Sequence, residues 1–416
     1  MSGISAFGFD AAVFVVAPFL LRRLLRRIMP AAVLPILLGM VLTVCGAPIA
    51  RFGAPSWAGN EIGWIGVLLL SFTAGIETRH PPQVEGDGAT FPADALGLAR
   101  VCGSAGLALA LPFAIVTAVA SRYLLVLPGW NPERGGGLLP AMAIGLCAAV
   151  SALPVLTGIV RELSPCHRRL GQISLTLAVV DDAALWIGLA LLQAAASAGV
   201  SGRVWGLADI GAALVLPALF LVGRAAAARM PRPQTALLWV TAIIWLSVST
   251  WASSRLGLHE LIGAYFAGVV LPVAWTCRLP VERIGSIALL ALAPLFFGHS
   301  GLKVAAGSLT AVTMAAAGAL LILSIATKVG AIVLFPPRAD LSRQQALAIG
   351  SLLQCKGLME IVAATILADK RLLAPPAYAA LVVLAVLSTT LTGPLFRMTI
   401  REREPLRTAV LVPEVD

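Results

Sequence analysis

The sequence predicts an all-α polytopic membrane protein with about 13 transmembrane helices. Composition is the first observation behind this: hydrophobic residues make up 59% of the 416 and charged residues 12%, whereas soluble domains average roughly half apolar and a quarter charged. The mean hydropathy of +0.93 agrees. The second is periodic: apolar runs of about 17–25 residues recur from end to end, each able to cross ~30 Å as a helix. The third is where the charges fall, since most basic residues sit between the runs.

In order, the expected spans are 5–21, 31–48, 61–76, 98–120, 139–160, 170–196, 206–223, 235–253, 259–276, 284–300, 306–335, 343–367 and 375–397. An odd number puts the termini on opposite sides. Counted with the N-terminus outside, the inward loops and tail collect Arg22, Arg23, Arg26, Arg27, Arg168, Arg169 and their like, outnumbering outward Lys and Arg roughly two to one. The expected topology is therefore N-terminus outside and C-terminus cytoplasmic, in a cell membrane. The seventh span has six on either side, as two inverted repeats joined by a linker helix would leave it.

The net charge of +10 follows this topology. No aromatic-and-basic module accompanies it, so nucleic acid is not an expected partner; the lipid bilayer is. The six Cys show neither CxxC nor metal-ligand spacing, so no disulfide, bound metal or cofactor is expected. No charged segment and small-residue cleavage site mark the N-terminus as a leader, so the first run reads as a retained span. The residues after Arg397 are too few for a nucleotide-binding domain.

Several charges stand where hydrocarbon is expected. Asp181 and Asp182 are adjacent within LTLAVVDDAALWIGLALLQAAA, and each costs ~2.5–3.5 kcal/mol even on the lenient insertion scale. At i and i+1 they point about 100° apart, so they cannot share one partner equally. Lys328 lies mid-run in LLILSIATKVGAIVLF; it either pairs with one of these aspartates or snorkels toward the surface. The run QALAIGSLLQCKGLMEIVAATIL holds Gln354, Lys356 and Glu360. Read as one helix, Lys356 and Glu360 are an i, i+4 pair that either neutralises itself or lines an ion path. Gly350 and Gly357 would ease unwinding there. In the fifth run Ser151 precedes Pro154, with Thr157 and Gly158 a turn later. Proline removes a backbone bond, leaving a kinked helix or a discontinuous one whose carbonyls and hydroxyls coordinate a cation. His259, Glu260 and His299 fall near outer span ends and read as interfacial or packing residues; Glu77 ends the third run as a solvated group or a partner of Arg79.

These residues resemble the monovalent cation:proton antiporter-2 family, which includes Kef-type systems and plant cation/proton exchangers. SALPVLTGIVREL, LAVVDDAALWIGLAL, LGLHELIGAYFAGVVLP, APLFFGHSGLK and QCKGLMEIV are similar to five family segments and occur in the family's order. The resemblance covers nearly all of residues 5–398. It implies the sodium/proton antiporter fold: two inverted six-helix repeats, usually in a homodimer, with discontinuous helices crossing at the fifth and twelfth spans. An exchanger domain over 1–398 would divide into a core of about 98–196 and 306–397, a dimerisation scaffold of about 5–76 and 235–300, and a linker of about 206–223, before a short cytoplasmic tail at 399–416. It implies that Asp182 is the acid binding cation or proton, that Asp181 is the position that is Asp in electrogenic members, and that Lys328 faces it. Gln354–Cys355 in place of Asn–Thr, Ser151 where Thr is common, and Glu260 and His299 depart from the pattern and bear on ion selectivity.

The expected function is antiport of a monovalent cation, Na⁺ or K⁺, for protons by alternating access. Two titrating acids suggest more than one proton per cation and hence electrogenic exchange. A gated K⁺ efflux pathway on the same fold and a non-transporting sensor are the alternatives. No enzyme is expected: an intramembrane aspartyl protease needs aspartates facing each other from different helices, and these are adjacent on one.

Overall fold

The computed structural model describes residues 3–25, 33–47, 55–79, 95–133, 137–161, 163–164, 167–198, 207–230 and 234–400. The tail expected at 399–416 lies almost wholly outside them. The described chain is helical. Its elements are α1 (Gly3–Ala11), α2 (Ala17–Leu25), α3 (Leu34–Val44), α4 (Trp57–Arg79), α5 (Ala95–Val119), α6 (Leu139–Ala149), α7 (Leu153–Arg161), α8 (Arg168–Ala198), α9 (Leu207–Arg229), α10 (Thr235–Arg255), α11 (Glu260–Val270), α12 (Val273–Thr276), α13 (Val281–Ile287), α14 (Ala293–Leu302), α15 (Ala311–Leu334), α16 (Arg343–Leu352), α17 (Leu358–Asp369) and α18 (Pro375–Thr399).

Eight helices among the described residues are long and apolar enough to cross a membrane, with shorter apolar helices at Ser5–Leu21, Leu34–Val44, Leu139–Ala149 and Glu260–Val270. Two of the expected spans, the fifth and the twelfth, are discontinuous, as the resemblance implied. The run 139–160 is divided into α6 and α7, and the run 343–367 into α16 and α17. The first break comes at Val150, which turns extended (φ −79°, ψ 157°). Pro154 follows it as the second residue of α7, a first-turn position where a missing N–H costs no helical bond.

Two sets of helices pack among themselves. Helices α5, α6, α8, α15, α16 and α18 interlock, with α7 laid on α8 and α17 on α18; α4 packs on α11 and α14, and α3 on α14. Small residues set the spacing of the second set. A Cβ at Gly75 of α4 would strike the Tyr265 carbonyl of α11, and one at Gly268 of α11 the Phe72 carbonyl of α4. Such backbone approach is how helices associate where lipid is as apolar as the side chains. Helix α9 packs mainly on α10.

The two sets meet where α8 passes α4 and α11. At one end polar links cross between them: Lys303 to Asp369 (3.0 Å), the Lys370 ammonium to the Gly257 carbonyl (3.4 Å), the His259 N–H to Gln193 (2.8 Å) and the Tyr378 hydroxyl to the Ser300 carbonyl (3.0 Å).

Candidate functional site

A helix broken inside a membrane exposes carbonyls that water cannot reach, so each must find a donor in the protein. Here the carbonyls of Cys147, Ala148, Ala149 and Val150 each find one. The Lys356 ammonium donates to Ala148 (2.5 Å) and Val150 (3.0 Å), with Cys147 at 3.5 Å. Ser324 donates to Ala148 (2.9 Å), and Lys328 to Ala149. Two ammonium groups thus converge on the C-terminal end of α6, where the helix dipole favours positive charge.

The second break is satisfied in return. The Ser151 hydroxyl reaches the Leu353 carbonyl (2.6 Å) and the Ala152 N–H donates to Cys355 (2.8 Å). Ser388 and Thr389 of α18 donate to the carbonyls of Gln354 and Lys356. The Gln354 amide donates to Ser324 (3.0 Å) on α15. Gly357 is needed because the crossing strands are close: a Cβ there would lie 2.7 Å from Val155 and 2.9 Å from Ala152.

Asp181 joins this lattice. One of its oxygens accepts from Lys328 (2.6 Å) and Ser151 (2.7 Å). Lys328 is fully buried and Asp181 1% exposed, so Lys328 pairs rather than snorkels. Ser151 has one hydroxyl hydrogen facing two acceptors, Asp181 and Leu353, which links the acid to the backbone of the break.

Asp182 is different. It is 0% exposed, and neither carboxylate oxygen has a hydrogen-bond partner. It points away from the break, within electrostatic reach of Glu77 on α4 as well as Asp181. The divergence expected for adjacent helical residues is therefore realised: the break side holds Asp181, the α4–α11 side holds Asp182.

One expectation is corrected. Lys356 is not helical but lies in the gap between α16 and α17, so the helical i, i+4 pairing with Glu360 does not form; its ammonium turns to α6 instead. Glu360 stands in the first turn of α17, where the dipole of that helix favours a carboxylate, and neither of its oxygens is hydrogen-bonded. Thr157 is on a crossing helix, yet its hydroxyl bonds Leu153 of its own turn (2.9 Å) and stays out of the cluster. The side chain of Pro154 lies outside the described residues.

Sequence reasoning missed two groups. Asp10 of α1 is fully buried and accepts from the Ser56 N–H (2.7 Å), the Ser56 hydroxyl (2.6 Å) and His299 (3.1 Å). His299 is thus a buried packing residue in a polar knot. Asp10 falls inside the first expected span, and its partners lie 46 and 289 residues away, so no local pattern pointed to it. Tyr265 and Trp186, flanking Asp182, carried no signal beyond being aromatic in apolar runs.

The charges of the site can be summed by name. Asp181, Asp182 and Glu360 face Lys328 and Lys356, all at least 98% buried. With these five ionised one negative charge is left over, and an ionised Glu77, within electrostatic reach of Asp182, adds another. Two of the three carboxylates, Asp182 and Glu360, have no hydrogen-bond partner for either oxygen.

Known proteins are similar to this chain in sequence and in fold. The archaeal sodium proton antiporter MjNhaP1 from Methanocaldococcus jannaschii shares the fold, with a TM-score of 0.64 at 14% identity, covering 96% of this chain and all of that one. Cation/H(+) antiporter 19 of Arabidopsis thaliana is 29% identical over 69% of this chain and 36% of its own length. Na(+)/H(+) antiporter NhaS4 of Synechocystis is 24% identical over 68% of this chain and 71% of its own, and K(+)/H(+) antiporter 1 of Saccharomyces cerevisiae is 24% identical over 86% and 41%. This chain spans from 32% to 40% of the length of the plant relatives it matches. The family described as the transmembrane sodium/hydrogen exchanger matches residues 11–401. That match takes in both breaks and every buried charge around them, and the chain belongs to the sodium/hydrogen exchanger family.

Proposed function

We propose that this chain is a secondary antiporter exchanging a monovalent cation, Na⁺ or K⁺, for protons by alternating access. The observation that carries this is the contrast at α8: one oxygen of Asp181 accepts from Lys328 and Ser151, while Asp182 is buried with no hydrogen-bond partner. A buried carboxylate without donors is costly unless neutralised. Cation and proton therefore compete for one charge. The printed names of the relatives, which include both Na(+)/H(+) and K(+)/H(+) antiporters, support the class of exchange and leave both cations in view.

In the cycle, a partly dehydrated cation binds Asp182 and draws in Asp181 together with oxygens near Ser151, displacing Lys328. Proton loading restores the Asp181–Lys328 pair. Release of that pair adds a second titrating group, hence electrogenic exchange. Helices α5–α8 and α15–α18 form the moving core, α1–α4 and α10–α14 the scaffold, and α9 the linker. The scaffold supplies the contact for a homodimer in a cell membrane, with the N-terminus outside and the C-terminus cytoplasmic. The polar links Lys303–Asp369, Lys370–Gly257, Gln193–His259 and Tyr378–Ser300 close the outer end in this conformation.

The test is reconstitution in proteoliposomes, with Na⁺, K⁺, Li⁺ and Rb⁺ supplied separately against a pH gradient. Saturable exchange of at least one cation, lost in Asp182→Asn, is the expected result. Full activity in Asp182→Asn overturns the site, and flux that neither saturates nor couples to protons overturns antiport in favour of a channel. Exchange indifferent to an imposed membrane potential overturns the electrogenic part alone.

A further inference from the structure

We infer that Tyr265, stacked on Trp186, is the positioning residue that seals Asp182 from water along the seam between α8 and the α4–α11 pair. The inference rests on Asp182 being the exchanging acid.

The geometry begins with spacing. Trp186 is four residues beyond Asp182 on α8, so both lie on one face. The Trp186 ring stacks on Tyr265 of α11 with centroids 5.4 Å apart and planes 17° from parallel. Both are almost completely buried, at 1% and 2% exposure. This is a contact between two helix sets: α8 belongs to the set that carries the breaks, α11 to the other.

Tyr265 is also pinned at its far end. Its hydroxyl lies 3.0 Å from the Thr78 hydroxyl of α4. Thr78 donates its own hydrogen to the Ala74 carbonyl (2.9 Å), so the Tyr265 O–H is the donor and Thr78 the acceptor. The phenol is thereby held against α4 and offers no hydrogen to Asp182, although the two lie within electrostatic reach.

The groups on the sealed side are left unmatched. Both Asp182 oxygens lack a donor, and the buried Trp186 indole N–H lacks an acceptor. Buried polar atoms of this kind take up water or an ion when one can enter. An aromatic lid pinned at its tip excludes water, and its displacement would open the acid. The seal also explains how an uncoupled proton leak is prevented: Asp182 exchanges with solvent only when α8 slides off Tyr265, which is the step that switches access.

The experiment uses the full chain in proteoliposomes, with Tyr265→Ala, Tyr265→Phe and Thr78→Val. The first readout is the rate at which a water-soluble carbodiimide modifies Asp182, followed by mass spectrometry, which needs no turnover. The second is proton leak with no transportable cation present. Tyr265→Ala is expected to label about ten-fold faster than wild type and to leak protons, the scale on which an aromatic stack holds two elements together. Tyr265→Phe keeps the ring and is expected to label within about two-fold of wild type, with Thr78→Val behaving the same way, since each removes the Tyr265–Thr78 hydrogen bond and leaves the stack on Trp186 in place. Wild-type labelling and no leak in folded Tyr265→Ala overturns the seal. If Tyr265→Ala does not fold, Trp186→Leu replaces it, with the same ten-fold labelling expected and wild-type labelling overturning the inference. A wild type that fails to exchange any cation refutes the exchange reading itself, a result separate from the labelling contrast.

Discussion

The two sides of α8 treat adjacent aspartates in opposite ways. On the side facing the breaks, Asp181 accepts from Lys328 and Ser151, which in turn hold the open carbonyls of α6 and α16. On the side facing α4 and α11, Asp182 has neither donor nor counter-ion within hydrogen-bond reach. Asp10, elsewhere in the bundle, shows the architectural extreme, with one oxygen accepting from three donors. The difference teaches that burial alone does not mark an exchange site. Asp10 gathers its three donors on one oxygen, so the fold fixes its place, whereas nothing within hydrogen-bond reach fixes either oxygen of Asp182.

The sharpest way to break the comparison is at the bare acid. Asp182→Asn removes a buried charge and no hydrogen bond, so stability should change by less than ~1 kcal/mol while exchange falls below detection. Thermal unfolding in detergent beside proteoliposome flux checks both halves; large destabilisation would show that Asp182 has structural partners after all.

The engaged side should respond in the reverse order. Lys328→Met leaves the Asp181 carboxylate buried without its counter-charge and the Ala149 carbonyl without its donor, a loss of about 3–5 kcal/mol. Adding Asp181→Asn to that variant should recover part of the loss, because the stranded charge is removed. A double mutant as unstable as the sum of the singles would deny the pair.

Ser151→Ala is the finer probe. It withdraws one donor from two buried acceptors, Asp181 and the Leu353 carbonyl, and should cost about 1–3 kcal/mol. A weaker apparent affinity for the transported cation, with little change in maximal rate, is expected beside it. Stability within error of wild type would show that the hydroxyl does not hold the break.

The smallest effect lies outside the membrane. Asp340, exposed in the loop before α16, accepts from Arg169 at the start of α8 (2.7 Å), and this bond holds its carboxyl below the usual carboxylate range. A depressed acid stabilises the fold above its unfolded value and loses that contribution as pH falls through the folded one. Asp340→Asn should therefore cost less than ~1 kcal/mol near neutrality, since solvent screens the pair. The cost should vanish in strong acid, as read by unfolding midpoints across pH.

The residues themselves show how far reading went. Asp181, Asp182 and Lys328 were legible because charge in an apolar run has no cheap explanation, and their divergence followed from helical geometry. The break near Ser151 was legible through Pro154, and the second through Gly350 and Gly357. The role of Lys356 was not, because the i, i+4 rule assumes a continuous helix and the chain unwinds at that point. Ser388 and Thr389 were equally silent: in an apolar helix either hydroxyl ordinarily bonds the preceding turn, and only the arrival of a broken neighbour gives them carbonyls to cap.

What the sequence determined by itself was the membrane class, the approximate spans and the set of buried charges, since hydropathy and the cost of charge in hydrocarbon act on local stretches of chain. Tertiary structure alone decided which acid is satisfied. Lys328 and Ser151 lie 147 and 30 residues from Asp181, and Tyr265 comes to Trp186 from a different helix. No local rule connects such positions, because the contacts exist only once broken helices cross and separate helix sets meet.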